Sequence, residues 1–134
     1  MRRIAHVFVM VVVAQGLTWS AIHHVIGRVL VINHGVAFGM MSSHPIEATI
    51  VDGVALAITV WLVIRGPVNR SAAAMVLAGG LANAWDRLIY GGVIDYWRVS
   101  FYPFAFNVAD LFIRIGVVWL VVSVIRRSPA RVSQ

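Results

Sequence analysis

Five acidic residues stand in the 134-residue chain: Glu47, Asp52, Asp86, Asp95 and Asp110. Three of them lie near amide side chains. Asn83, Asp86 and Arg87 are three and four residues apart, so a helix there puts them on one face. Asn107, Asp110 and Arg114, at steps of three and then four, also share one face, and Asp95 falls between the two groups in Val93-Ile94-Asp95-Tyr96. Two carboxylates that share one proton supply an acid and a base at once, because like charges a few ångströms apart cannot both ionise. Such a pair can take a proton from water and give one to a carbonyl oxygen, which is what peptide hydrolysis requires. The residues alone do not choose which two of the three acids would pair.

That chemistry calls for no metal and no cofactor. The five histidines, His6, His23, His24, His34 and His44, show no metal-binding spacing. The chain has no Cys, so disulfides, thiolate metal sites and a thiol nucleophile are excluded. No nucleophile elbow or phosphate-binding loop is present.

The carboxylates must be positioned by apolar elements. Hydrophobic residues make up 60% of the chain and charged residues 12%, with mean hydropathy +0.87. A soluble domain is closer to half apolar and a quarter charged, so lipid is the expected solvent. An acid at the centre of a membrane helix costs about 2.5–3.5 kcal/mol on insertion scales, so each one needs a partner or a purpose. The net charge of +6 comes from eleven Arg and no Lys. These Arg form no basic stripe, so no nucleic-acid partner is expected; they flank apolar runs.

Four such runs, at about 4–26, 46–64, 72–90 and 104–125, predict an all-α membrane protein of four transmembrane helices. They belong to one integral membrane domain over 1–134, expected to be a monomer. Arg2, Arg3, Arg65, Arg70, Arg126, Arg127 and Arg131 lie at one set of ends, and only Arg28 and Arg98 lie in the other two connections. Seven against two places both termini in the cytoplasm, with the connections 27–45 and 91–103 outside. The first run is longer than a secretory signal core and lacks a clear cleavage site, so it reads as a retained helix. Residues 128–134 read as a short disordered tail.

The outer connections are more than loops. Val29–Ile32 and Val93–Phe101 are strand-like, and Asn33-His34-Gly35 is a turn signal. Together they predict a small β platform on the outer face. Asp86 near the outer end of the third helix, Asp95 just beyond it and Asp110 about two turns into the fourth then converge at one depth. Simpler roles compete. Asp86 with Arg87, and Asp110 with Arg114, suit structural ion pairs; Asp52 suits a polar partner on another helix. Glu47 suits a helix start. A proton relay is a poorer fit, since four short helices leave little room for a pathway.

Three ordered blocks carry a resemblance. Gly80-Leu81-Ala82-Asn83-Ala84-Trp85-Asp86-Arg87, Gly92-Val93-Ile94-Asp95-Tyr96 and Phe106-Asn107-Val108-Ala109-Asp110 resemble the G-N-x-x-D-R, V-x-D-F and F-N-x-A-D blocks of lipoprotein signal peptidase, signal peptidase II. Asn33-His34-Gly35-Val36-Ala37-Phe38-Gly39 matches that family's outer-loop N-x-G-x-A-F-G. The resemblance implies catalytic roles for Asp95 and Asp110, and substrate-binding or supporting roles for Asn33, Asn83, Asp86, Arg87 and Asn107. It implies an aspartic endopeptidase of the bacterial inner membrane that acts on its outer side. The substrate would be a prolipoprotein, cut just before a diacylglyceryl-modified Cys, with membrane lipid as the other partner. A non-catalytic homologue that binds lipidated peptides is the alternative. The chain reads as a divergent member. Ala14 and Thr18 stand where the family's first-helix D-Q-x-x-K has Asp and Lys, Ala82 replaces a usual Gly, and Tyr96 replaces a common Phe.

Overall fold

The computed structural model describes all residues except 1, 25, 27–28, 37–39, 42, 67 and 128–134. Among the described residues, four long helices and two short strands follow in the order α1 (Arg2–Ile22), β1 (Val31–Asn33), α2 (Pro45–Arg65), α3 (Arg70–Tyr90), β2 (Val93–Asp95) and α4 (Val108–Arg127). Three spans among the described residues, Ile4–Ile22, Pro45–Arg65 and Val108–Arg126, are long and apolar enough to cross a membrane. Helix α3 is as long as α1 and α2 but carries Asn83, Asp86 and Arg87 in its last half.

Local signals set the helix ends. Pro45 opens α2, where a missing N–H costs nothing, and Glu47 follows in its first turn. Asn69 caps α3 by accepting from the Ser71 and Ala72 amides at 3.0 and 3.1 Å. Gly91 ends α3 in the left-handed conformation, at φ 75°, which a residue without Cβ adopts freely.

Helix α3 is the hub, packed against α1, α2 and α4. Its buried face is Ala72, Ala73, Ala74, Ala78, Gly79, Ala82 and Asp86. Small residues let backbones approach closely, the usual packing solution inside a membrane. A Cβ on Gly79 would collide with the Ala109 carbonyl oxygen of α4, and one on Gly116 would lie 2.8 Å from the Ala72 carbonyl oxygen. The large apolar side chains, among them Phe8, Val12, Ile58, Trp61, Val118 and Ile125, point outward. That inverts the pattern of a water-soluble protein and suits a surface that faces lipid.

The strands pair antiparallel in the register Val31↔Asp95, Ile32↔Ile94 and Asn33↔Val93. They lie where α1 and α3 end and α2 and α4 begin. The expected platform is present but smaller than the sequence suggests. The first strand is Val31–Asn33 instead of Val29–Ile32. The second stops at Asp95, continues only as a bridge between Trp97 and Phe106, and then turns through Val99–Tyr102. Trp97 and Phe106 exchange both backbone bonds at 2.9 Å, which folds residues 97–106 back on themselves. The fourth helix therefore starts at Val108, four residues later than the expected 104. The first ends at Ile22 rather than 26, with His24 at φ 60° breaking its course. The tail at 128–134 and Ala37, Phe38 and Gly39 of the outer-loop motif lie outside the described residues.

Candidate active site

Asp95 and Asp110 reach the platform end by different routes. Asp95 closes β2, directly after α3, and is 2% exposed. Asp110 lies in the first turn of α4. Between them sits Asn107, buried at 1% exposure, just ahead of α4. Its side-chain oxygen accepts the Asp110 amide at 2.9 Å, while its own amide donates to Asp110 Oδ2 at 3.3 Å. This reciprocal arrangement closes the helix start in the manner of a capping box. Its Nδ2 donates to Asp95 Oδ1 at 3.0 Å and also faces the Ile94 carbonyl at 3.2 Å and Asn83 Oδ1 at 3.3 Å. With acceptors on one side and an N–H on the other, the amide has one sensible orientation.

Two further asparagines complete the frame. Asn33 of β1 donates to Asp95 Oδ2 at 3.2 Å, and its oxygen accepts the Gly35 amide at 2.9 Å, an Asx turn that fixes the loop after β1. Asn83 of α3 donates to Asp110 Oδ1 at 3.1 Å. Each carboxylate is thus held by two asparagines, and Asn107 is common to both.

Burial pushes the Asp95 carboxyl up from its ordinary 3.8 to about 7. The nearby Asp110 charge adds to that rise, the bonds from Asn33 and Asn107 oppose it, and Asp86 contributes a smaller push upward. A carboxyl in that range keeps a proton near neutrality.

Asp86 and Arg87 do not act as a pair. Consecutive helix residues point about 100° apart, and the two side chains go to different elements. Asp86, 1% exposed, accepts from Gln15 Nε2 of α1 at 3.0 Å and from the Ile94 amide at 3.2 Å. It therefore ties α1 and α3 to the strand that carries Asp95. Arg87 pairs with Asp52 of α2 at 2.8 Å and also donates to the Gly35 carbonyl. Asp52 thus finds its polar partner on another helix, and that partner reaches the turn formed by Asn33. The seven residues singled out from the sequence meet in one connected network. Arg114, read as a structural partner for Asp110, donates to the Tyr102 hydroxyl at 3.2 Å and lies over that ring.

Gln15 belongs to the network and sequence reasoning passed over it. Its signal was its type, an amide three residues before Thr18 in an otherwise apolar helix. Tyr96 was read only as a variant of the family Phe. It is fully buried, and its hydroxyl accepts the Val108 amide at 3.2 Å. Among the described residues, no three of His, Asp and Glu stand together as a metal-binding group.

A buried and a half-buried carboxylate framed by asparagines, at one end of membrane-length helices, define a membrane protein with a polar cluster at the edge of its apolar core. Comparison with known proteins narrows the class. Residues 4–126 match the family model described as Signal peptidase (SPase) II. A lipoprotein signal peptidase of Caldanaerobacter subterraneus subsp. tengcongensis is 32% identical over 106 residues, 77% of this chain and 73% of that protein. That of Sinorhizobium fredii is 43% identical over 94 residues, 63% of this chain and 55% of the other. That of Chlamydia trachomatis is 34% identical over 97 residues, 66% of this chain and 58% of the other. In the latter two, the match spans a little over half the length of the relative. A solved bacterial membrane enzyme shares the fold, with TM-score 0.78 at 24% identity over 99% of this chain and 93% of that one. The chain belongs to the signal peptidase II family, a family of membrane peptidases that process lipoproteins.

Proposed function

We propose that this chain is a membrane aspartic endopeptidase that cuts the signal peptide of prolipoproteins just before a diacylglyceryl-modified Cys, with Asp95 and Asp110 as its catalytic pair. The observation that carries the reading is Asn107, which bonds both carboxylates, at 3.0 Å to Asp95 and at 3.3 Å to Asp110. Its side chain holds Asp95 and its backbone amide holds Asp110, so one residue ties the two acids together.

Asp95, with its raised affinity for a proton, is the acid in this scheme and Asp110 is the base. Asp110 takes a proton from a water molecule as the water oxygen bonds to the scissile carbonyl carbon. Asp95 gives its proton to the carbonyl oxygen, which leaves a neutral gem-diol. Collapse of the gem-diol returns a proton to Asp95. The C–N bond breaks, the leaving amine takes the proton held by Asp110, and both carboxyls regain their starting states. Asn83 and Asn33 hold the two carboxylates in place without competing for the proton. Asp86 and Arg87 are supporting residues that fix β2 and the loop after β1.

The substrate's lipid and signal helix lie in the bilayer, so a site at the membrane edge suits it. The exposed apolar positions Leu30, Val31 and Ile32 give β1 an edge on which an extended segment could add as a further strand. In this reading α3 also crosses the membrane, with its polar residues covered by α1, α2 and the platform. The Arg distribution supports cytoplasmic termini, a site on the outer side and residence in the bacterial inner membrane. The protein works as a monomer.

One observation favours the non-catalytic alternative. Ala14 is buried against Ala82 and Ala109, so methyl groups fill the place of the family's first-helix Asp. Purified protein and a diacylglyceryl-Cys precursor peptide separate the readings. Cleavage that is lost in Asp95→Asn and Asp110→Asn while both variants stay folded is the expected result. Binding without product from the unaltered protein would replace the peptidase reading with the binding one.

A further inference from the structure

Tyr96 follows Asp95 directly, and Val108 follows Asn107 directly. The two pairs are joined twice: Asn107 Nδ2 donates to Asp95 Oδ1 at 3.0 Å, and the Val108 amide donates to the Tyr96 hydroxyl at 3.2 Å. Val108 is the first residue of α4, and its N–H is one of the four that no carbonyl of the helix can accept. Asn107 already takes the Asp110 amide two residues on. Tyr96 therefore supplies an acceptor that a helix start at this point lacks.

The ring needs no oxygen for its own packing. It is fully buried beside Ala21 and Ile94, with Leu17 and Trp97 against the same cluster. A phenylalanine would fill that space equally well. The hydroxyl, by contrast, is useful only if its own bonds are met, and Thr18 of α1, 3% exposed, brings its hydroxyl to the phenol. Burial raises the phenol above its ordinary pKa of 10.0, and the charges of Asp86 and Asp110 act the same way, so the group stays neutral and can accept and donate together. Thr18 and Tyr96 stand where the family pattern has Lys and Phe, and in this chain they meet.

We propose that Tyr96 is a positioning residue: supported by Thr18, its hydroxyl sets the start of α4 against β2 and so fixes Asp110 relative to Asp95. The proposal rests on the peptidase reading above. A shift of the first turn of α4 moves Asp110 away from Asp95, and displacement on the scale of an ångström is enough to cost one to two orders of magnitude in rate.

The experiment uses the full chain in detergent micelles with a diacylglyceryl-Cys precursor peptide, comparing the unaltered protein with Tyr96→Phe, Thr18→Val and the double variant. Tyr96→Phe is expected to lower kcat about tenfold with KM within about twofold. The alkaline limb of its pH profile is expected to move to lower pH, because Asp110, the largest charge acting on Asp95, moves away while the smaller effect of Asp86 stays. Thr18→Val is expected to lower kcat less, and to add nothing in the Tyr96→Phe background. A Tyr96→Phe variant with a lower Tm but unchanged kcat per folded molecule and an unmoved alkaline limb would overturn the proposal. If Tyr96→Phe does not fold, an unchanged kcat and pH profile in Thr18→Val overturns it equally. No product from the unaltered protein would remove the peptidase reading and the proposal with it, whereas an active protein with an indifferent Tyr96→Phe removes the proposal alone.

Discussion

Asn107 and Asp95 are held by a bond of 3.0 Å between the asparagine Nδ2 and carboxylate Oδ1, both side chains being almost fully buried. The same asparagine exchanges two bonds with Asp110. One residue thus couples a strand end to a helix start, and its amide can donate to a carboxylate without being able to take the shared proton.

Replacing that amide tests how far the pair depends on it. Asn107→Ala is expected to lower kcat by at least about 100-fold, since Asp95 loses its Nδ2 donor and the Asp110 backbone amide loses the acceptor that sets the start of α4. The buried acceptors left behind cost about 1–3 kcal/mol of stability. Steady-state rates and thermal melts on the same preparation check both parts. Rates within a few-fold of the unaltered protein would remove Asn107 from the site.

The raised pKa of Asp95 predicts two pH dependences of the same origin. Activity that requires its proton is expected to fall by half as pH rises through about 7. Stability follows with a definite sign. Between the ordinary 3.8 and about 7 the folded state binds more protons than the unfolded state, so stability declines as pH rises through that window and levels off above it. Melting temperatures from pH 4 to pH 8 are expected to decline less in Asp95→Asn than in the unaltered protein. Parallel curves would show that Asp95 titrates normally.

The Asp52–Arg87 pair reaches the site through the Gly35 carbonyl. Asp52→Ala leaves a guanidinium that is 8% exposed without its counterion. Because Asp52 itself is partly exposed, the cost is expected near about 1–3 kcal/mol, below that of a fully buried pair. The turn that carries Asn33 loosens with it, so KM for the precursor peptide is expected to rise more than kcat falls. A melt and a KM unchanged from the unaltered protein would contradict this.

Close packing of α3 on α4 gives a prediction independent of chemistry. Gly79→Ala and Gly116→Ala each force a methyl group against a backbone carbonyl of the other helix. Each is expected to destabilise by about 1–3 kcal/mol. Gly53, where a Cβ meets nothing within 4 Å, is the matched control: Gly53→Ala is expected to be neutral or slightly stabilising. Thermal melts in one detergent compare the three directly.

Much of this molecule was legible in one dimension. Apolar runs of membrane length, Arg at their ends and three acid–asparagine blocks follow from composition and spacing, because lipid solvation and helix rise act on local sequence. The strand ends were less legible. Val93–Phe101 reads as one strand from its β-branched and aromatic residues, yet pairing stops at Asp95, because the Trp97–Phe106 bridge folds the following segment on itself. The start of α4 was misread for the same reason: Phe104–Phe106 is apolar enough for a helix, but Asn107 and Tyr96 together satisfy an N-terminus at Val108.

The sequence by itself determined the solvent, the number of long helices and the set of groups able to do carboxylate chemistry. Only the tertiary structure decided how those groups are partnered. Asp86 reads as the mate of Arg87, but a helix turns about 100° between neighbours. Asp86 therefore goes to Gln15 and β2, Arg87 to Asp52, and Asn107 to both Asp95 and Asp110. Apart from the short-range bonds of Asn107 to Asp110 and of Asp86 to Ile94, these partners lie 12 to 71 residues apart and are set by helix rotation and packing, which no local spacing encodes.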